Sequence, residues 1–183
     1  MKNCSAAASI SRPLPLDKAR GQIAYRAMTE SRNVQSATLD PREVERFDRI
    51  AAEWWDATGK LEPLHRIGPV RLQFLRDQIA AHHGRNALET RPLEGLEILD
   101  VGCGGGLIAE PLARLGATIT GIDPAERNIE AARRHALLSG LAIDYRVTTA
   151  EAMAEAGQSF DVVVCLEVIE HVPDVGRFVA TLG

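Results

Sequence analysis

Glycines at 102, 104, 105 and 106 follow directly on Ile98-Leu-Asp-Val101, so a carboxylate and a run of bare backbone stand at the end of an apolar stretch. A missing Cβ permits positive φ and lets a ligand press against the main chain, which suits a nucleotide-like molecule. Spacing narrows the ligand. The dinucleotide fingerprint needs glycine at the first, third and sixth positions, and the sixth from Gly102 is Leu107. The loop is instead G-x-G-x-G, which disfavours an NAD-dependent dehydrogenase.

Two carboxylates accompany the loop. Asp123 ends the alternating run Ala117-Thr-Ile-Thr-Gly-Ile and, in a βαβ unit, sits beside the glycines, where it can accept hydrogen bonds from both ribose hydroxyls. Asp123-Pro-Ala-Glu126 also reads as a capping box, a purely structural alternative. Asp100 either fixes the turn or faces a cationic end of the ligand. With Gly102, Gly104 and Gly106, these acids resemble the cofactor site of Rossmann-like methyltransferases that use S-adenosylmethionine (SAM). On that reading a Cβ added at Gly104 meets the cofactor.

A third group lies further on. Glu167-Val-Ile-Glu-His171 follows an apolar strand, and on a helical turn positions 167, 170 and 171 share one face. Such a cluster could bind Mg²⁺, which favours carboxylate oxygens, and so acidify a coordinated phenol. Alternatively His171 takes the phenolic proton as general base. The plain reading is a helix-start cluster satisfying backbone amides. The remaining histidines, at 65, 82, 83 and 135, read as surface or capping residues.

The elements that must position these groups form an α/β pattern. Strands are expected near 97–101, 117–122, 142–147 and 160–166, with helices after the glycine loop and over 124–138. The last strand is apolar almost throughout, as for a parallel strand covered on both faces. Before this core, Asp40-Pro-Arg-Glu43 marks a helix start, with Val44, Phe47, Ile50, Ala51 and Trp54 at helical spacing. A proline-punctuated connector then leads to a second helix over 70–82, closed by Gly84. These helices could form a lid. Trp54 and Trp55 cannot share one face, so one is free for a ligand or interface, or both pack partly.

The domain reading is an extension over 1–38, rich in Ala, Ser and Arg and expected to be disordered, a helical cap over 39–84, and a core over 85–183. Met28 is an alternative start to Met1, and the arginines of the extension allow a transit-type presequence, although a bacterial extension is preferred. Cys4, Cys103 and Cys165 form no C-x-x-C pair, which argues against a disulfide framework and a zinc site. Cys103 reads as a small filler. A formal net charge of −4 gives no sign of a nucleic-acid-binding surface. No apolar run reaches the roughly 20 residues that span a bilayer.

The ordered series Ala52-Glu-Trp-Trp-Asp56, Pro63-Leu-His-Arg-Ile67, Pro69-Val-Arg-Leu72, Leu99-Asp-Val-Gly-Cys-Gly-Gly-Gly106, Gly116-Ala-Thr-Ile-Thr-Gly-Ile-Asp123 and Cys165-Leu-Glu-Val-Ile-Glu-His-Val-Pro-Asp174 resembles the ubiquinone biosynthesis O-methyltransferase family over residues 41–178. The glycine loop and acid are common to many SAM methyltransferases; the Trp-Trp-Asp and Pro-Leu-His-Arg-Ile segments are narrower. The resemblance implies a Rossmann-like fold and SAM-dependent methylation of a hydroxyl on polyprenylated phenol or benzoquinol intermediates, at both O-methylation steps. It places SAM contacts on Arg71, Gly102, Asp123 and Leu166, and metal ligands on Glu167, Glu170 and His171. Arg71 suits the methionine carboxylate, because two cations would repel at the sulfonium. Trp54, Trp55 and His65 are expected in the lid or the acceptor wall.

The resemblance also implies peripheral contact with a membrane and with other ubiquinone-biosynthesis enzymes. The expected location is the cytoplasmic side of a bacterial inner membrane, or alternatively the matrix side of the mitochondrial one. A full fold of this kind has seven strands and four are visible, so the chain reads as C-terminally truncated, marginally stable and inactive alone. Two competitors stand beside this reading: another small-molecule methyltransferase, and a SAM-binding remnant without activity.

Overall fold

The computed structural model describes residues 39–183, so the expectations for 1–38, Cys4 and Met28 lie outside the described residues. Four parallel strands form the centre: β1 (Glu97–Val101), β2 (Thr118–Asp123), β3 (Asp144–Val147) and β4 (Val162–Cys165), in the spatial order β3-β2-β1-β4. Parallel neighbours require crossover connections, and the intervening α3 (Ala109–Arg114), α4 (Glu126–Leu138) and α5 (Ala150–Glu155) provide them. A final helix, α6 (Val175–Leu182), is capped by Asp174, whose carboxylate accepts from the Arg177 amide at 3.0 Å.

Strand alternation divides the core into two layers. Ile98, Ile119, Val162 and Val164 pack with Leu112 of α3 and Ile129 of α4, and with Leu75 and Ile79 of α2 (Glu62–His82). Leu99, Val101, Ile122 and Cys165 face Met153 of α5 and Phe178 of α6. Helices thus cover both faces, and the strand ends carry the expected ligand groups.

The strands agree with the sequence pattern to within two residues. The second N-terminal helix does not. It begins at Glu62, eight residues earlier than expected, and carries Pro69 in its interior. Pro63 suits its place in the first turn, where an amide would lack an intrahelical partner anyway. Pro69 forfeits one helical hydrogen bond, but Leu64 packs on one side of it and Leu72 on the other, so tertiary contacts carry the helix through. The helix closes as expected: Gly84 has φ +63, and the Arg85 amide donates back to the Ala80 carbonyl at 2.8 Å. Helix α5 was not anticipated, since Ala-Glu-Ala-Met-Ala-Glu is too short to display a period.

The first helix, α1 (Pro41–Ile50), starts at Asp40, whose carboxylate accepts from the Arg42 amide at 2.9 Å. A 3₁₀ turn over Ala51–Glu53 then delivers Trp54 and Trp55 to the core. Ala51, Trp54 and Leu61 form a third buried cluster against Leu107 and Ala131, so the N-terminal helices are packed onto the sheet domain at its glycine loop. Among the described residues no helix is long and apolar enough to cross a membrane.

Candidate functional site

The glycine loop leaves β1 still bonded to its neighbour: the amides of Gly102 and Cys103 both donate to the Ile122 carbonyl, at 2.8 and 3.0 Å. That pairing holds the loop beside Asp123. Gly102, Gly104 and Gly106 have φ of +69, +52 and +90, a region that strains any side chain. Each also lies against a neighbour. An added Cβ would fall 2.4 Å from Val168 at 102, 2.3 Å from the Trp54 ring at 104, and 2.3 Å from the Tyr145 hydroxyl at 106. At Gly104 the added Cβ meets a tryptophan of the same chain, an obstacle the sequence did not suggest. Gly106 serves helix-to-sheet packing and does not line the cleft.

Asp123 is buried and accepts three hydrogen bonds. One oxygen accepts from the Gly104 amide at 3.0 Å, while the other accepts from the Ala125 amide at 2.8 Å and from Asn128 Nδ2 at 3.2 Å. Burial holds its carboxyl above the usual range, and these donors pull it back. The capping-box alternative fails, because the residue flanking α4 is Ala125, with no side-chain cap. Pro124 and the turn it begins put Asp123 two positions too early to close the helix, leaving its carboxylate to tie the glycine loop.

Asp100, on the central strand, is also buried. Its Oδ2 has no hydrogen-bond partner, and its carboxyl is pushed up to about 7, first by burial and then by the charge of Asp123. A buried oxygen with no partner is costly, so the site is incomplete without a donor. Cys103, beside it, is buried, which raises its thiol well above the ordinary range and fits the filler reading.

Across the cleft the expected trio does not assemble. Glu167 takes a left-handed backbone, φ +55, so the chain reverses there and the helical turn spans only Ile169–His171. Its carboxylate pairs with Arg71 of α2. His171 Nδ1 lies 2.8 Å from the Glu43 carboxylate, and its ring meets Phe47 edge-on at 5.1 Å. Glu170 is exposed and does not line the cleft. Among the described residues no three metal-ligating side chains converge, so Glu167, Glu170 and His171 do not fit an Mg²⁺ site. The helical i, i+3, i+4 geometry assumed a regular turn that the backbone at Glu167 breaks.

Of the aromatic residues, Trp54 lines the cleft, as expected of a wall residue, while Trp55 and His65 do not. Trp54 is buried and donates to Asn128 Oδ1 at 2.7 Å, bracing the residue that holds Asp123. Trp55 donates to the Gly105 carbonyl at 3.0 Å. His65 Nε2 donates to the Trp54 carbonyl at 2.9 Å. Both tryptophans therefore pack, the second of the two alternatives. His135, expected at the surface, stacks on Trp55 and reaches buried Glu110. Glu43, Asn128 and Glu110 were not singled out by sequence as site residues; Glu43 looked like the far end of a capping box, and nothing in the pattern marks the other two.

One cleft joins these groups. It is lined by Arg71, Asp100, Gly102, Gly104, Asp123 and Leu166 toward the sheet, and by Glu43, Phe47, Glu167 and His171 toward the N-terminal helices. All the expected cofactor contacts except Gly106 meet there.

Comparison with known proteins adds the following. The family model described as "Methyltransferase domain" matches residues 99–182. The chain is 58% identical over 144 residues to a ubiquinone biosynthesis O-methyltransferase of Sinorhizobium medicae (strain WSM419), covering 79% of this chain and 58% of the relative. It is 56% identical over 152 residues to the protein of that name from Azorhizobium caulinodans, covering 83% and 60%. The chain thus spans about three fifths of the length of these relatives. Among solved structures, magnesium protoporphyrin IX methyltransferase from Synechocystis PCC 6803 with bound SAM superposes with a TM-score of 0.57 at 24% identity, over 81% of this chain and 73% of that one. The architecture is the Rossmann-like fold of SAM methyltransferases.

Proposed function

The chain belongs by sequence to the ubiquinone biosynthesis O-methyltransferase family, and from that premise we propose that its cleft binds SAM and serves methylation of a hydroxyl on a polyprenylated phenol or benzoquinol. The observation that carries the reading is the pair of buried carboxylates, Asp100 and Asp123, at the glycine loop. Together they favour a cationic ligand rich in hydroxyls and oppose a dinucleotide pyrophosphate, which would bring like charges together. The orphaned Oδ2 of Asp100 fits the ammonium of SAM. Asp123 already accepts three hydrogen bonds of the roughly four a carboxylate can take. One ribose hydroxyl fits directly; a second requires the Gly104 amide or Asn128 to give way.

Arg71 would hold the methionine carboxylate after exchanging it for Glu167, and Gly102, Gly104 and Leu166 would wall the cofactor. When bound, SAM supplies an electrophilic methyl on a sulfonium. The chain's own work is to exclude water, orient the acceptor oxygen and remove its proton. His171 is the residue for the last step. Its Nδ1 is committed to Glu43, which leaves Nε2 as the nitrogen that takes the phenolic proton. No step is assigned to a metal.

The helical cap over 39–84 and the core over 85–183 are part of the same proposal, as are a peripheral contact with the membrane that holds a prenylated acceptor and with neighbouring enzymes of the same synthesis. Location at the cytoplasmic face of a bacterial inner membrane, or the matrix face of a mitochondrial one, follows from that acceptor. Transfer of labelled methyl from SAM to a demethylated quinol in vesicles, by a protein that carries this chain at its relatives' full length, tests the activity. Label in the quinol that is lost with His171→Ala supports the proposal; equal label with the variant removes His171 from it.

A further inference from the structure

Glu110 is a carboxylate with no exposed surface, in the first turn of α3 just behind the glycine loop, and the proposed chemistry gives it no task. Burying a charge is costly unless it is paired, and Glu110 is paired twice. One oxygen takes Arg114 at 3.0 Å and the other lies 2.6 Å from His135 Nδ1 on α4. The His135 ring, with Ser139 Oγ also beside its Nδ1 at 3.5 Å, lies flat on Trp55: centroids 3.4 Å apart, planes 6° from parallel. Trp55 in turn donates to the Gly105 carbonyl. A continuous path therefore runs from a buried carboxylate, through two stacked rings, to the middle of the loop that would carry the cofactor.

We propose that Trp55, held in place by His135 and Glu110, is a positioning residue for SAM: by fixing the Gly105 carbonyl it presets the glycine loop in its binding shape. The inference rests on the cleft being a SAM site. Its physical basis is entropy. Gly104, Gly105 and Gly106 are consecutive, and glycine has more backbone freedom to lose than any other residue. A loop left free would be ordered at the expense of cofactor affinity, whereas one anchored in the folded protein is ordered beforehand. Gly105 is the middle of the three, and its carbonyl is held from outside the loop by a side chain 50 positions away in sequence. The stack restricts the indole in turn, and Glu110 fixes which edge of the imidazole faces the core.

Trp55→Phe removes the indole donor while leaving an aromatic ring for His135. In the whole chain without ligand, hydrogen exchange at the amides of 104–106 is expected to quicken. In titration with SAM, affinity is expected to fall about two- to tenfold, the span of one ordinary hydrogen bond, with circular dichroism unchanged. A role in packing alone would lower thermal stability without separating the loop amides from the rest of the sheet. Glu110→Gln, which keeps the volume and one acceptor, is expected to show the same changes in smaller measure. If Trp55→Phe does not fold, His135→Gln decides by the same readouts. Unchanged exchange at 104–106 overturns the proposal. A wild-type chain that binds no SAM overturns the functional reading instead, and the exchange measurement, made without SAM, still decides the positioning.

Discussion

The two ends of the cleft are built differently. At the glycine end the polar groups are buried and mutually bonded: Asp123 holds Gly104, Asn128 and Ala125, Trp54 braces Asn128, and Trp55 holds Gly105. At the other end, Arg71 with Glu167 and Glu43 with His171 cross from the N-terminal helices to the turn after β4, and all four side chains keep between a fifth and two fifths of their surface exposed. Buried, bonded groups give fixed geometry, while part-exposed ion pairs contribute little stability and can be exchanged for a ligand. The glycine end is thus preformed, whereas the far end, where Arg71 would take the SAM carboxylate and His171 the acceptor's proton, is held by contacts that ligands can replace.

The largest effect should come from violating the preformed end. Gly104→Val puts a branched side chain at φ +52 against the Trp54 ring, combining backbone strain with overpacking. A loss of about 3 to 5 kcal/mol in denaturant unfolding is expected. An unchanged midpoint would mean that Trp54 does not lie on the loop.

Asp100 gives a pH test of the same end. Its carboxyl lies at about 7 in the folded protein against an ordinary 3.8, so the folded state holds the proton more tightly. The contribution of Asp100 to stability is therefore fullest below about pH 4 and falls as pH rises toward 7, by an amount on the order of 3 to 4 kcal/mol across that window. Asp100→Asn should flatten this decline in melting temperature between pH 5 and pH 8, and should weaken SAM binding at pH 8. A variant that keeps the full wild-type decline would show that the group responsible lies elsewhere.

The far end is expected to separate rate from binding. His171→Ala should cut turnover about a hundredfold or more in the methyl-transfer assay, while SAM affinity stays within about twofold. A large loss of SAM affinity would erase the distinction between the two ends. Smallest of all, Glu43→Gln should change folding stability by less than about 1 kcal/mol, since its pair with His171 is part-exposed. A larger loss would show that the far end is as firmly built as the glycine end.

The preformed end was also the more legible in the sequence. Strands β1 and β4 are mostly apolar and β2 alternates, patterns from which burial follows, and Asp100, Asp123 and the glycines stand at or near their ends, so local pattern and tertiary position coincide. Arg71 and Leu166 reached the cleft through family resemblance. The far end was misread because its geometry depends on one backbone torsion at Glu167, which no spacing rule reveals. Glu43 and His171 are 128 positions apart, and Trp55 and His135 are 80 apart; pairs of that separation leave no local period. The early start of α2 was hidden for a related reason, because Pro69 signals a break that packing of Leu64 and Leu72 overrides.

The glycine loop and Asp123 are proposed to form a site for SAM. Isothermal titration of SAM into the wild-type chain and into Asp123→Ala, with NAD as the comparison ligand, tests that assignment most directly. The wild type should bind SAM in preference to NAD, and the variant should bind SAM more than tenfold more weakly, about 1.4 kcal/mol or more. Equal affinity for SAM in the two proteins, or a wild type that prefers NAD, would contradict it.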